Sequence, residues 1–104
     1  MKKSYLLTKQ AEADLREITL YTLKQWGKLQ CNSYIAELEK KAEDVATGQG
    51  FYKEFSDLLP NLRVVLAGKH YIFCLPQENS PALILAILHE KMDLVARLKH
   101  RLPS

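Results

Sequence analysis

A chain of 104 residues has the length of one small domain and is too short for two independent cores. Its apolar share of 47% excludes wholesale disorder, and its longest apolar run, Ala82 to Leu88, is far too short to cross a bilayer. The formal charge of +3 is unevenly placed: residues 1–60 carry nine basic and nine acidic side chains, residues 61–104 six basic and three acidic. This excess suggests an acidic partner near the C-terminal half and falls short of the basic stripe of a nucleic-acid binder.

The opening MKKSYLLTKQ has the lysines of a secretion signal, but only Leu6 and Leu7 follow before polar residues resume, so no apolar signal core forms. A cytoplasmic protein is expected. Cys31 and Cys74 have no CxxC neighbours and read as small buried hydrophobes.

Tyr5 to Leu7 predicts a short strand, with Thr8 as the N-cap of a helix. Ala11, Leu15, Ile18, Thr22 and Trp26 then recur at helical spacing, and Gly27 is placed to end that helix with a positive φ. A second helix is expected from about Leu29. Its apolar stripe is Cys31, Tyr34, Ile35, Leu38, Ala42 and Val45, and Thr47-Gly48-Gln49-Gly50 stops it. The two form a helical hairpin with one apolar side to cover. After a loop from Phe51 to Pro60, Leu62 to Ala67 reads as a strand, Gly68-Lys69 as a tight turn, and His70 to Leu75 as the hairpin partner. Pro76 to Pro81 reads as a longer polar turn. Ala82 to Leu88, unbroken and apolar, suits a central strand buried on both faces. Asp93 would cap a short last helix with Leu94, Val95, Leu98 and Leu102 on one side, and Arg97, Lys99 and Arg101 largely on the solvated other. The order is β-α-α-β-β-β-α, an α+β domain spanning residues 1–104, with the helical hairpin on a small, mostly antiparallel sheet.

Little in this chain carries recognised chemistry. His89-Glu90-Lys91-Met92-Asp93 begins like the zinc motif HExxH but has aspartate at the second ligand position. His70, His89, His100 and the cysteines lack ligand spacing, so no metal is expected. No cofactor motif, GxSxG nucleophile or convincing carboxylate pair is present. One constellation remains: Arg63, His70, His89 and Lys91, expected near one another across the sheet. Singly, each is equally well an ordinary strand-end residue.

Taken together, LTKQAEADLREITLYTLKQWG, Arg63, the Gly68-x-His70-x-Ile72-Phe73 hairpin and Ile87-Leu88-His89-x-x-Met92-Asp93 resemble the ParE branch of the RelE/ParE toxins of bacterial toxin–antitoxin pairs, over nearly the whole chain and in order. Cys74 stands where that family often has tyrosine, and Lys91 where arginine is common. The resemblance implies a RelE-like fold and a toxin held inactive by a ParD-like antitoxin in a hetero-oligomer. Once free, such a toxin inhibits DNA gyrase, with or without its bound DNA, by trapping the cleaved-DNA complex without bond chemistry of its own. On that basis Arg63, Lys69, His70, His89, Lys91 and Arg97 are candidates for the target-binding surface, and Leu15, Ile18, Tyr21, Trp26 and Tyr34 for antitoxin contact. Arg63 and Lys91 are expected to lie away from the helical hairpin. Two alternatives stay open. One is a ribosome-dependent mRNA endonuclease, for which the acid/base set is incomplete and the ending Leu102-Pro103-Ser104 lacks a tyrosine. The other is an inactive, antitoxin-binding relic.

Overall fold

The computed structural model describes residues 4–102; Met1 to Lys3, Pro103 and Ser104 lie outside the described residues. The elements in chain order are β1 (Tyr5–Leu7), α1 (Lys9–Thr47), β2 (Lys53–Glu54), β3 (Arg63–Ala67), β4 (His70–Gln77), β5 (Ser80–His89) and α2 (Leu94–Lys99). Five strands form one sheet in the order β1-β5-β4-β3-β2; β1 runs parallel to β5 and every other pairing is antiparallel. The two-residue β2, which extends the sheet at Lys53 and Glu54, has no signal in the sequence because two residues set no period.

The expected hairpin is α1 itself. Gly27, at φ 86° and ψ 174°, breaks it into two arms, residues 9–26 and 28–47. No side chain is tolerated readily at that φ, so glycine is what lets the chain reverse here. The arms pack antiparallel: Cys31 Sγ lies 3.5 Å from the Thr19 carbonyl, and Ala11 from the first arm shares a cluster with Ala42 and Val45 from the second. Thr8 caps the first arm by accepting from the Ala11 N–H at 3.1 Å. Gly48, at φ 78°, ends the second in the left-handed conformation, with the Gln49 N–H donating to the Asp44 carbonyl at 2.8 Å. Trp26, expected in the apolar stripe, instead stands 68% exposed, because the chain leaves the helical path at the next residue.

Two cores share the sheet. Between hairpin and sheet lie Ile18, Leu38, Ala42, Val45, Val65, Ile72, Cys74, Ile84 and Ile87. The opposite face is covered by Leu58, Leu59 and Leu62 of the loop after β2 and by Leu94, Leu98 and Leu102 at the C-terminal end, packed on Phe73, Leu85, Ala86 and Leu88. Each side chain such as Leu38 or Ile72, buried completely, contributes roughly 2–3 kcal/mol. Burial on both faces explains the unbroken apolar run of β5. A bulge also contributes: Phe73 pairs with Ala86 and Cys74 with Ile84, so Leu85 has no partner. The extra residue flips the alternation, placing Ile84 and Ile87 in one core and Leu85 and Leu88 in the other.

The segment from Pro76 to Pro81 is not one long turn. β4 continues to Gln77 and β5 starts at Ser80, leaving only Glu78-Asn79 between, with Asn79 at φ 57°. The prolines are tolerated because the register shifts between Leu75 and Gln77, where the ladder needs no donor from Pro76. The Gly68-Lys69 turn matches expectation. Gly68 has φ 60°, and a Cβ there would sit 2.4 Å from Tyr34 Cε1. Gly68→Ala is therefore expected to lower stability by roughly 2 kcal/mol, through both the positive φ and the displaced tyrosine, read as a lower urea midpoint with an unchanged slope.

Candidate functional site

The end of the sheet where β4 begins and β5 finishes gathers most of the polar candidates. The two-residue turn places His70 opposite Ala67, and antiparallel pairing then sets His70 directly across from His89. The imidazoles meet edge to face, with centroids 5.2 Å apart. Both belong to the hairpin-facing side, and with Gln10, Asp14, Glu17, Met92, Arg97 and Arg101 they line a half-open cleft of about 260 Å³ between the first arm of α1 and the end of β5.

His70 is tied to the hairpin as well. Its Nδ1 lies 2.6 Å from the Tyr34 hydroxyl, which also accepts the Lys69 N–H at 2.9 Å. Burial pushes the Tyr34 pKa up, with the Lys69 contact opposing. Burial first, then the neighbouring His89, pushes the His70 pKa down to about 4, against the weaker opposing pull of Asp14 and Glu90. At neutral pH this imidazole is uncharged, and the hydroxyl donates naturally to its bare Nδ1. His89 Nδ1 accepts the Lys91 N–H at 3.1 Å, and the Glu90 N–H donates to the Lys69 carbonyl at 2.8 Å. Lys69 and Lys91 themselves are exposed.

Arg63 does not join this group. It pairs with Cys74, four residues along β3 from the position opposite His70, about 13 Å at strand spacing. Nor does it lie away from the hairpin. Its guanidinium donates to the Val45 carbonyl at 2.9 Å, packs beside Gly48 and covers the Tyr52 ring at 4.8 Å from the centroid. A strand residue thus satisfies an orphan carbonyl at the hairpin's C-terminal end. Cys74 is held nearby in the core, where burial pushes its thiol up to about 11, with Arg63 opposing.

Arg101 was expected on a solvated helix face, yet it makes the main ion pair of the molecule. Its guanidinium forks onto Asp14, with Nη2 to Oδ1 at 2.9 Å, and also contacts the Leu85 carbonyl at 3.4 Å. The Asp14 carboxylate additionally accepts the Ile87 N–H at 2.9 Å. The guanidinium's own hydrogen bonding to Asp14 raises the Arg101 pKa, against the cost of burial. Sequence reasoning missed the pair because its members are 87 residues apart and no local period connects them. Among the described residues, no three His, Cys, Asp or Glu side chains are grouped to hold a metal ion.

The candidates on the hairpin divide by exposure. Ile18 is buried in the core, Leu15 is half-buried beside a shallow apolar groove with Leu7, Thr19 and Leu20, and Tyr34 lies under the β3–β4 turn. Tyr21 and Trp26 face solvent. Leu20, Leu23 and Leu29, near the same hairpin bend, are exposed as well, the last 88%.

A helical hairpin packed on one face of a five-stranded mixed sheet, with exposed apolar side chains near its bend, defines a small α+β protein of the expected class. The sequence profile described as ParE toxin of type II toxin-antitoxin system, parDE, matches residues 5–94. Toxin ParE of Escherichia coli is 50% identical over 99 residues, covering 95% of this chain and 96% of its own. Toxin ParE1 of Caulobacter vibrioides is 30% identical, covering 92% and 98%, and Toxin ParE1 of Mycobacterium tuberculosis 29%, covering 90% and 96%. Among solved structures, a chain of the chromosomal ParDE system of P. aeruginosa superposes with a TM-score of 0.64 at 17% identity, over 82% of this chain and 92% of that one, which supports the fold alone. The chain belongs to the ParE toxin family of type II toxin–antitoxin systems.

Two predictions follow from this geometry. Because His70 has an ordinary pKa of 6.5 when unfolded and about 4 when folded, the unfolded chain binds a proton between these values that the native chain refuses. Stability is therefore lost as pH falls from 6.5 toward 4. Subtracting the pH–stability curve of His70→Gln, which removes this proton, should isolate the loss from that of the carboxylates. Arg101→Ala, by contrast, should cost roughly 3 kcal/mol, since it strands Asp14 and loosens the Leu85 carbonyl. Pairing it with Asp14→Asn should recover part of that cost in urea denaturation.

Proposed function

We propose that this toxin acts in the cytoplasm by inhibiting DNA gyrase, trapping the enzyme on cleaved DNA, and that a ParD-like antitoxin neutralises it in a hetero-oligomer by covering the hairpin. The observation that carries this reading is the presence of two chemically distinct surfaces, exposed apolar side chains near the hairpin bend and exposed cations around the β3–β4 turn and the end of β5. The apolar bend of α1, with Leu20, Tyr21, Leu23, Trp26 and Leu29, is suited to a flexible antitoxin segment that folds as it binds. Leu15 at the groove edge extends that surface, while Ile18 and Tyr34 support it from beneath. The end of the sheet past which the bend projects, with exposed Lys69, Lys91 and Arg97 beside His70 and His89, is suited to an acidic target. Arg63 supports the hairpin end next to Tyr52 and so contributes to shape rather than to that charge.

A binding role is favoured over the endonuclease because the acid/base geometry is poor. Cleavage through a 2′-hydroxyl needs a base and an acid on either side of a phosphate, with cations for its charge. His70 and His89 touch one another, leaving no space for a phosphate between them, and His70 is engaged by Tyr34. Asp14 and Glu17 balance Arg97 and Arg101 in the same cleft, and Arg101 is already committed to Asp14, so no arginine pair is left there for a phosphate. On the opposite face the strand positions are Val64, Leu66, Tyr71, Phe73 and Leu75, with neither cation nor carboxylate. The toxin thus works by holding its target, with no catalytic residue of its own.

Purified toxin should inhibit gyrase supercoiling and increase linear, protein-linked DNA. Codon-dependent cuts in ribosome-bound mRNA with unchanged supercoiling would establish the nuclease instead, and neither effect from folded protein would leave the relic. Replacing Trp26 and Leu29 with glutamate should weaken antitoxin binding at least about a hundredfold, as expected for an apolar centre made charged, while gyrase inhibition by the free toxin persists.

A further inference from the structure

The sheet face turned away from the hairpin is covered unevenly. Leu58, Leu59 and Leu62 close it beside the start of β3, and Leu94, Leu98 and Leu102 cover its middle. At the other end, where β3 turns into β4, neither group suffices. Leu66 is 45% exposed, and its cross-strand partner Tyr71 is only half-buried. Tyr71 shares a cluster with Leu94, so this platform adjoins the start of α2, where Met92 and Val95 are also exposed. Its rim is basic. Lys69 occupies the turn between Leu66 and Tyr71, and the hydrogen bond from Glu90 N–H to the Lys69 carbonyl brings Lys91 alongside. Lys99 lies one helical turn beyond Val95. All three lysines are exposed, and none is in an ion pair among the described residues. Two carboxylates stand nearby: Glu90, exposed beside Lys91, and Asp93, which accepts the Ala96 N–H as a helix cap; the three lysines outnumber them.

We propose that this corner, Leu66 and Tyr71 with the Lys69–Lys91 rim, is where the toxin docks its target, and that the occupant is an acidic protein surface presenting an apolar side chain. The inference rests on the gyrase reading and specifies which face of the toxin makes the contact. An apolar pair held on two hydrogen-bonded strands loses little freedom on binding, and a rim of unpaired cations selects an acidic partner and excludes basic ones. Duplex or single-stranded nucleic acid fits less well. It would need arginine forks on phosphates or several aromatic faces for stacking, whereas the centre here is a leucine beside one tyrosine. Leu66 and Tyr71 also belong to the sheet face turned away from the hairpin, so the apolar centre of the patch is distinct from the apolar side chains at the bend.

Two variants test the proposal, Leu66→Glu and the double charge reversal Lys69→Glu with Lys91→Glu. Each alters exposed side chains, and antitoxin affinity together with the urea midpoint verifies the fold; if one variant fails that check, the other decides. Each is expected to weaken inhibition of gyrase supercoiling about tenfold or more, the effect of a hot-spot residue, with antitoxin affinity unchanged within about twofold. Wild-type inhibition should also fall between low and high salt. Wild-type poisoning of gyrase that both folded variants reproduce would overturn the docking surface alone. A wild-type toxin without effect on gyrase would overturn the target reading and this surface with it. Loss of binding to naked duplex DNA, in step with loss of inhibition, would overturn the protein occupant.

Discussion

The unequal lengths of two neighbouring strands set the central constraint on this molecule. β5 has ten residues, and β1, its only neighbour on that side, has three. Beyond Ile84 the inner edge of β5 would present bare backbone groups next to a packed core, a costly arrangement unless they are satisfied. Three side chains substitute for the missing strand. Thr8 lies within 3.4 Å of the Leu85 carbonyl with its hydroxyl, while the Asp14 carboxylate accepts from Ile87 and Arg101 adds a second donor to Leu85. The first residues of the hairpin, the bulge in β5 and the end of the chain therefore meet at one place. The Asp14–Arg101 pair is the part of that junction most sensitive to change, because each charge is compensated by the other.

The same junction makes the polar cleft a structural seam. Asp14 and Arg101 are already committed to backbone groups and to one another. Of the imidazoles, His70 is neutral and joined to Tyr34, and His89 accepts from the backbone two residues on. The groups a chemist would select for catalysis here are the ones the fold uses to fasten the hairpin, the β3–β4 turn and the end of β5. What remains free is lysine at the rim and apolar side chains on surfaces that are rigid underneath, an apolar centre with a polar border.

How much of this was legible in the sequence depends on the range of the interaction concerned. Thr8, Gly27, Gly48, the Gly68 turn and Asp93 act on backbone within four residues, and each appears where local chemistry places it. The strands β3, β4 and β5 follow from composition, whereas the exact pairing of His70 with His89 depends on two register shifts between β4 and β5 that composition does not show. Arg63 and Arg101 illustrate the opposite case. Periodicity marks both as polar positions, but Arg63 finds its partner 18 residues away at a helix end and Arg101 finds Asp14 across 87 residues. The bulge at Leu85 was equally hidden, since a run of apolar residues looks the same in either register.

Exposure was the other property that pattern could not supply. Trp26 falls on the apolar stripe of its helix by spacing, and Leu66 alternates correctly for a covered strand face, yet both reach solvent. In one case Gly27 turns the chain away before a neighbour can cover the ring. In the other, the covering loop and the short α2 lie over other parts of the face. A monomer that holds large side chains in water on rigid supports gives up the free energy of burying them, roughly 25 cal/mol for each Å² left exposed. Under the function proposed above, that unclaimed burial energy is what antitoxin and target would each draw on. Its division between the two sides of the sheet lets one surface be covered while the other keeps its shape.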